Sequence, residues 1–191
     1  MTKNRLEAFS DGVLAIIVTI MVLEMKVPHS ADLEAIKPIL PVFLSYILSF
    51  VFILIYWNNH HHLFQTVKLV NGKVLWANGH LLFWLSLLPF VSGWMGENHF
   101  AALPVLFYGI VALMSGVAYY ILSLQLIKTH GEDSTLAKAV GNDSKIIISL
   151  VLYLAAIGFA SFYPMVSCGI YVGVAVMWLI PDKRIEKVIN P

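Results

Sequence analysis

The chain alternates between long apolar segments and short polar connections. Six segments are apolar enough for helices that cross a lipid bilayer, which takes about 20 residues. Pro28 and Pro181 lie at two of their ends, since proline does not continue a helix. The predicted spans are Leu6–Val27, Pro38–Trp57, Val74–Met95, Phe100–Ile127, Ile146–Tyr163 and the shorter Val166–Ile180.

The composition agrees with this pattern. Of the 191 residues, 59% are hydrophobic and 12% are charged. A typical soluble domain is about half apolar and about a quarter charged. The sequence therefore predicts an all-α integral membrane protein. We expect residues 1–191 to form a single six-helix transmembrane domain, because the length leaves no room for a second one.

The basic residues favour one orientation of these spans. Of the 12 Lys and Arg residues, all except Lys26 and Lys37 fall on one side of a six-span map. Positive connections usually stay in the cytoplasm, so the map predicts that both termini are cytoplasmic. A map without the short sixth span would place the basic tail outside. The residues on the basic side are Lys3, Arg5, Lys68, Lys73, Lys128, Lys138, Lys145, Lys183, Arg184 and Lys187.

The first span carries an aliphatic stripe. Ile16, Ile20 and Leu23 share one face of a helix, and Thr19 lies beside them. Around a symmetry axis, such a stripe would form rings that gate by dewetting, with threonine oxygens that partly replace the hydration shell of an ion. On periodicity alone, a stripe of this kind more often faces lipid or the protein core. Both interpretations stay open at this point.

Polar residues stand at the start of the same span. In one interpretation, Ser10 or Asp11 is an N-cap and the spanning helix begins at Gly12. In the other, the helix is continuous, and Ser10 and Asp11 bond to polar groups of neighbouring helices. The partners expected at this depth are His60, His61, His62, Trp76, Asn78 and His80.

Motifs for other classes of function are absent from the sequence. It contains no nucleotide-binding loop, Ser/His/Asp order or zinc-protease motif, so we expect no enzyme, no cofactor and no nucleic-acid partner. The run His60–His62 does not favour a metal site, because consecutive helical residues point in different directions. A proton-coupled secondary transporter that uses Asp11 and the histidines remains an alternative, as does a structural membrane protein without ion flux.

The first span also resembles a known family. Arg5-x-x-x-Phe9-Ser10-Asp11 is similar to the signature of the lysosomal potassium channels, transmembrane protein 175 and its prokaryotic relatives. The resemblance extends to the stretch Trp57-Asn58-Asn59-His60-His61-His62, to Asn78 and to Leu87-Leu88-Pro89-Phe90. Its specific motifs lie within the first three spans.

This resemblance implies a function and an architecture. Single-repeat prokaryotic members form homotetramers in the cell membrane, and the first helix of each subunit lines a central pore. By position, Ile16 would form the constriction, Ile20 and Leu23 two further hydrophobic layers, and Thr19 the layer that helps to select K⁺. Ala15 stands where some members have serine, which removes one oxygen from the path. The expected structural network comprises Arg5, Phe9, Ser10, Asp11, His60, His61, His62, Trp76 and Asn78.

The function implied is passive, K⁺-selective cation conduction through a multi-pass membrane protein. The sequence lacks the Thr-Val-Gly-Tyr-Gly filter of the common potassium channels. Selectivity would therefore depend on the hydrophobic constriction and the threonine layer of the first helix. The permeant K⁺ ion, the lipid bilayer and further copies of the chain are the expected partners.

Overall fold

The computed structural model is a helical bundle, and it describes residues 2–65, 67–131, 134, 136–137 and 144–179. Most of these residues are helical, and no strand occurs among them. A 3₁₀ segment, Leu33–Ile39, leads into the second helix. The α-helices are α1 (Lys3–Leu23), α2 (Leu40–Gln65), α3 (Gly72–Ser86), α4 (Leu88–Glu97), α5 (Ala102–His130), α6 (Ser144–Ala160) and α7 (Pro164–Leu179).

All six predicted apolar segments are helical. Four are long and apolar enough to cross a membrane: Lys3–Leu23, Leu33–Gln65, Gly72–Glu97 and Ala102–His130. The last two, α6 and α7, are apolar but shorter, with 17 and 16 residues. The chain is thus an all-α, multi-pass membrane protein. Ile180 at the end of the sixth predicted span, Lys138 and the basic tail residues Lys183, Arg184 and Lys187 lie outside the described residues.

Helix α2 continues beyond its predicted end at Trp57 and stops only at Gln65. The sequence suggested an end there because a run of polar residues follows. The helix accommodates that run because Asn59 donates to the Ile55 carbonyl at 2.8 Å and His60 is buried against another helix. The histidine run therefore lies within a helix, and the predicted end at Trp57 is wrong.

The third predicted span, Val74–Met95, lies within the membrane-length stretch Gly72–Glu97, and its helix is interrupted near the middle. Helix α3 ends at Ser86, and α4 begins at Leu88 with Pro89 in its first turn. Proline has no N–H to donate, and its ring clashes with the carbonyl four residues earlier, so a regular helix cannot pass through it. Leu87 between the two halves keeps helical backbone angles, φ −86° and ψ −12°.

Contacts between the connections show how the helix ends meet. Beyond the end of α1, the Lys26 ammonium pairs with Glu97 at 2.8 Å. The hydrogen bond and the opposite charge of Glu97 raise the pKa of Lys26. At the other end of the bundle, Asn71 Nδ2 donates to Thr129 Oγ1 at 3.0 Å. The end of α1 thus lies next to the end of α4, and the start of α3 lies next to the end of α5. Helices that cross a membrane in succession place their ends on alternate sides, and these two contacts agree with that order.

Gly109 allows α5 to pack closely against both α6 and α7. A Cβ at Gly109 would overlap the Tyr171 hydroxyl and lie 2.9 Å from Ile157, whereas a Cβ at Gly173 would have no atom within 4 Å. We expect Gly109→Ala to destabilise the solubilised protein by about 1–3 kcal/mol through overpacking. Gly173→Ala should change its stability much less. Thermal unfolding in detergent measures both, and equal losses would contradict this assignment.

Candidate functional site

Helix α1 has one buried and one exposed face. The buried residues recur every three or four positions, the spacing of a helix that docks along one side. Its other face is exposed in the single chain. The buried residues are Leu6, Ser10, Leu14, Ile17 and Met21.

The predicted aliphatic stripe lies on the exposed face. Ile16 is 60% exposed, Ile20 42% and Leu23 76%. Gly12 extends the same face, since a Cβ there would meet no atom within 4 Å. The side chains of this stripe therefore do not pack into the core of their own subunit. The stripe is free to face lipid, another copy of the chain or a water-filled path.

Thr19 brings an oxygen into this aliphatic face. Its Oγ1 donates to the Ala15 carbonyl at 2.8 Å, one helical turn earlier. That bond uses the hydroxyl hydrogen and leaves lone pairs of the same oxygen available to accept. An exposed threonine with its hydrogen held in this way presents an electronegative oxygen, which is suited to a cation.

A buried hydrogen-bonded chain ties α1 to α2 and α3. Asn78 Nδ2 donates to Ser10 Oγ at 2.9 Å, and Ser10 Oγ itself donates to the Leu6 carbonyl at 2.9 Å. Asn78 Oδ1 lies 2.8 Å from His60 Nε2. Because the Asn78 amide nitrogen faces Ser10, its oxygen must accept, so His60 donates from Nε2. Ser10, His60 and Asn78 are all buried.

The hydrogen bonds of Ser10 decide between the two interpretations of the polar residues at the start of the first span. Ser10 lies inside a helix that begins at Lys3, and Thr2 occupies the N-cap position. The N-cap interpretation of Ser10 and Asp11 is wrong, and the continuous helix with partners on neighbouring helices is confirmed.

Asp11 has a different partner from those expected. Trp57 Nε1 donates to Asp11 Oδ1 at 3.0 Å, and the Trp57 ring stacks on His61 with centroids 6.3 Å apart. Trp57 belongs to the stretch that carries the family resemblance, but it was not among the residues expected in the network. The sequence did contain one indication that Trp57 joins this site: it lies three residues before His60, near the same face of α2.

The other histidines take separate directions. His61 Nε2 lies 2.9 Å from Gln65 Nε2, and His80 accepts a hydrogen bond from Trp84 Nε1 at 2.9 Å. Within the described part of the chain, His62 Nδ1 is buried without a hydrogen-bond partner. No cluster of three or more His, Cys, Asp or Glu side chains is close enough to hold a metal ion in the same part.

Three further members of the predicted network do not reach it within one chain. Phe9 is 58% and Trp76 83% exposed, and Arg5 is also exposed. Among the described residues, the side chains of these three form no hydrogen bond and no ion pair. The subunit thus brings together Ser10, Asn78 and His60, with Asp11 and Trp57 beside them, and leaves the other three at its surface.

Known proteins share this sequence pattern. A family model described as the endosomal/lysosomal potassium channel TMEM175 matches residues 5–89. This range includes α1 except for its first two residues, and every residue of the buried hydrogen-bonded chain. A protein named potassium channel from Chryseobacterium sp. (strain P1-3) is 58% identical over 187 residues, 98% of this chain and 97% of that relative. The chain belongs to the TMEM175 family.

A solved structure of a TMEM175 protein has a similar fold. The crystal structure of a lysosomal potassium-selective channel TMEM175 homolog from Chamaesiphon minutus matches with a TM-score of 0.77 and 25% identity, over 93% of this chain and 96% of that one. The Gallus gallus relative, named endosomal/lysosomal proton channel TMEM175, is 41% identical over 79 residues, 35% of this chain and 16% of that protein. TMEM175 proteins are channels, so the expectation that this chain is not an enzyme is confirmed.

Proposed function

We propose that four copies of this chain form a passive cation channel that favours K⁺ over Na⁺, with α1 of each subunit around a central path. The observation that carries the proposal is the stripe of Ile16, Thr19, Ile20 and Leu23, which points away from the core of its own subunit. The 58% identity to a protein named potassium channel supports it.

The chemistry of the stripe suits a gate and a coarse selectivity filter. A ring of Ile16 side chains narrow enough to exclude water blocks ions by dewetting, without any moving lid. The Thr19 oxygens, with their hydrogens held by the helix backbone, replace part of the water that a cation sheds at this point. K⁺ binds its water less strongly than Na⁺, so a narrow apolar ring penalises Na⁺ more. This mechanism needs no Thr-Val-Gly-Tyr-Gly filter.

The proposed topology follows from the charges and the helix ends. Residues 1–191 would form one six-helix domain in the cell membrane, with both termini in the cytoplasm. The bias of Lys and Arg toward one side of the six-span map supports this orientation. The paired connections at each end of the bundle are consistent with it.

The hydrogen-bonded residues around α1 would set the rotation of the pore helix. Ser10 is held by Asn78, and Asp11 by Trp57, so two neighbouring helices fix which face of α1 turns outward. The exposed Arg5, Phe9 and Trp76 would complete this network only against a neighbouring copy of the chain.

Proton movement is the second candidate. Asp11 is exposed at the start of the stripe, and vertebrate relatives carry the name proton channel. In this reading Asp11 and the histidines of α2 and α3 would pass protons, either through a channel or coupled to another solute in a secondary transporter. No inverted repeat, which many transporter folds contain, is evident in the sequence.

A reversal-potential measurement separates these functions. The purified protein is placed in a planar bilayer with K⁺ on one side and Na⁺ on the other, first at equal pH and then with a pH gradient. We expect a current that reverses near the K⁺ equilibrium potential. A current that appears only under a pH gradient would contradict K⁺ conduction and favour the proton alternative. The absence of current under both gradients would exclude both proposals.

A further inference from the structure

One histidine outside the site clamps the connection between α2 and α3. His130 is the last residue of α5, and its side chain is half-buried. The backbone N–H groups of Lys68 and Leu69 both donate to His130 Nε2, at 3.0 and 3.2 Å. His130 Nδ1 lies 2.9 Å from the Leu126 carbonyl.

The partners fix the protonation state of this ring. A carbonyl only accepts, so His130 Nδ1 must carry the hydrogen toward Leu126. A backbone N–H only donates, so Nε2 must offer its lone pair to Lys68 and Leu69. The observed arrangement therefore requires the neutral imidazole. A proton on Nε2 would occupy the lone pair that holds the connection.

We propose that His130 is a pH-sensitive clamp, which holds the 67–71 connection when neutral and releases it when protonated. The clamp and the proton compete for one lone pair, so the clamp is closed at higher pH and opens as the pH falls. Histidine is the side chain that ordinarily titrates between about pH 5 and 8. Because the His130 ring is half-buried rather than enclosed, protons from solvent reach it.

The 67–71 connection and the described helix ends next to it in sequence carry mainly basic side chains. Lys68 lies in the connection, Lys73 at the start of α3 and Lys128 in the last turn of α5. His62 stands in the last turn of α2, and His61 precedes it. No carboxylate hydrogen-bonds to His130 in the described residues. An imidazolium would therefore face the two N–H donors of Lys68 and Leu69. The residues Glu132 and Asp133, which follow in sequence, lie outside the described part.

The connection matters because it joins the two helices that support α1. α2 supplies Trp57 and His60 to the network, and α3 supplies Asn78. A second tie, from Asn71 to Thr129, contains no titratable group and should persist in acid. Acid would thus free Lys68 and Leu69 while the start of α3 stays anchored.

Hydrogen exchange tests the clamp directly. Protection factors, corrected for intrinsic exchange, are compared at about pH 7.5 and about pH 5.5 in the full-length protein, which brackets histidine titration. We expect the Lys68 and Leu69 amides to lose protection about five- to tenfold in acid, as hydrogen bonds of ordinary net strength are removed. The Val74 amide, which donates to Asn71 Oδ1 at 3.0 Å, serves as an internal reference that should not change.

Two variants sharpen this test. His130→Gln keeps an acceptor oxygen without titration, so its Lys68 and Leu69 amides should be protected equally at both pH values. His29→Gln alters an exposed histidine at the other end of the bundle and should behave like the unmodified protein. Unchanged protection in the unmodified protein, or the same acid loss in His130→Gln, would overturn the proposal.

A second readout rests on the proposed channel function. Acidification on the side where α1 begins should change the K⁺ current of the unmodified protein and of His29→Gln, and should have less effect on His130→Gln. Equal responses of all three would show that the clamp does not couple to conduction. If the unmodified protein carried no current, only the channel proposal would be contradicted. The clamp would still be tested by hydrogen exchange, which does not depend on conduction.

Discussion

Replacing Ile16 with asparagine is expected to raise K⁺ conductance and to bring the K⁺ and Na⁺ permeabilities closer together. Ile16 is 60% exposed on the outward face of α1, where the proposed constriction lies. A polar amide keeps water in the ring, so the dewetting barrier falls. A decrease of about 1.4 kcal/mol in that barrier would raise the rate of ion passage about tenfold. Single-channel current and reversal potential measure the two effects.

The matched control for this change is Ile147→Asn. Ile147 is 50% exposed on α6, so the chemical change and the exposure are similar but the helix is not the proposed pore helix. We expect Ile147→Asn to leave the reversal potential unchanged. If Ile16→Asn had normal selectivity and conductance, or if both variants changed them equally, Ile16 would not form the constriction.

Replacing Asn78 with leucine is expected to destabilise the protein more than any other change proposed here. Asn78 is 1% exposed and bonds to both Ser10 and His60. Leucine has the same branching at Cγ but no polar side-chain atoms, so His60 loses its partner and Ser10 loses the donor from α3. Buried polar groups left without partners cost about 1–3 kcal/mol each, and we expect a loss of about 2–4 kcal/mol. Thermal unfolding in detergent measures it.

A second asparagine provides the comparison for this variant. Asn98 is exposed at the end of α4, and its Nδ2 donates to the Trp94 carbonyl only one turn away. Asn98→Leu loses a local bond that water replaces, so its cost should be below about 1 kcal/mol. Similar stability of the two variants would show that the hydrogen bonds linking Ser10, Asn78 and His60 do not hold α1 in place. A properly folded Asn78→Leu channel with normal current would show the same.

The chain's sequence was enough to predict the class of protein and the periodic stripe. Apolar runs of about 20 residues are a local property, because each backbone group in lipid must be satisfied within its own helix. The stripe of Ile16, Thr19, Ile20 and Leu23 follows in the same way from the helical repeat. The motif around Ser10 and Asp11 also led to the TMEM175 family, which the relatives confirm.

The tertiary structure alone decided which polar groups meet. Trp57 reaches Asp11 across 46 positions of the chain, and Asn78 reaches Ser10 across 68. Periodicity states which residues share a face but not which helix lies against that face, so Trp57 was missed. The resemblance placed Arg5, Phe9 and Trp76 in a network that they do not reach within one subunit. The clamp of His130 on Lys68 was invisible for the same reason, since it depends on how the end of α5 packs against a distant connection.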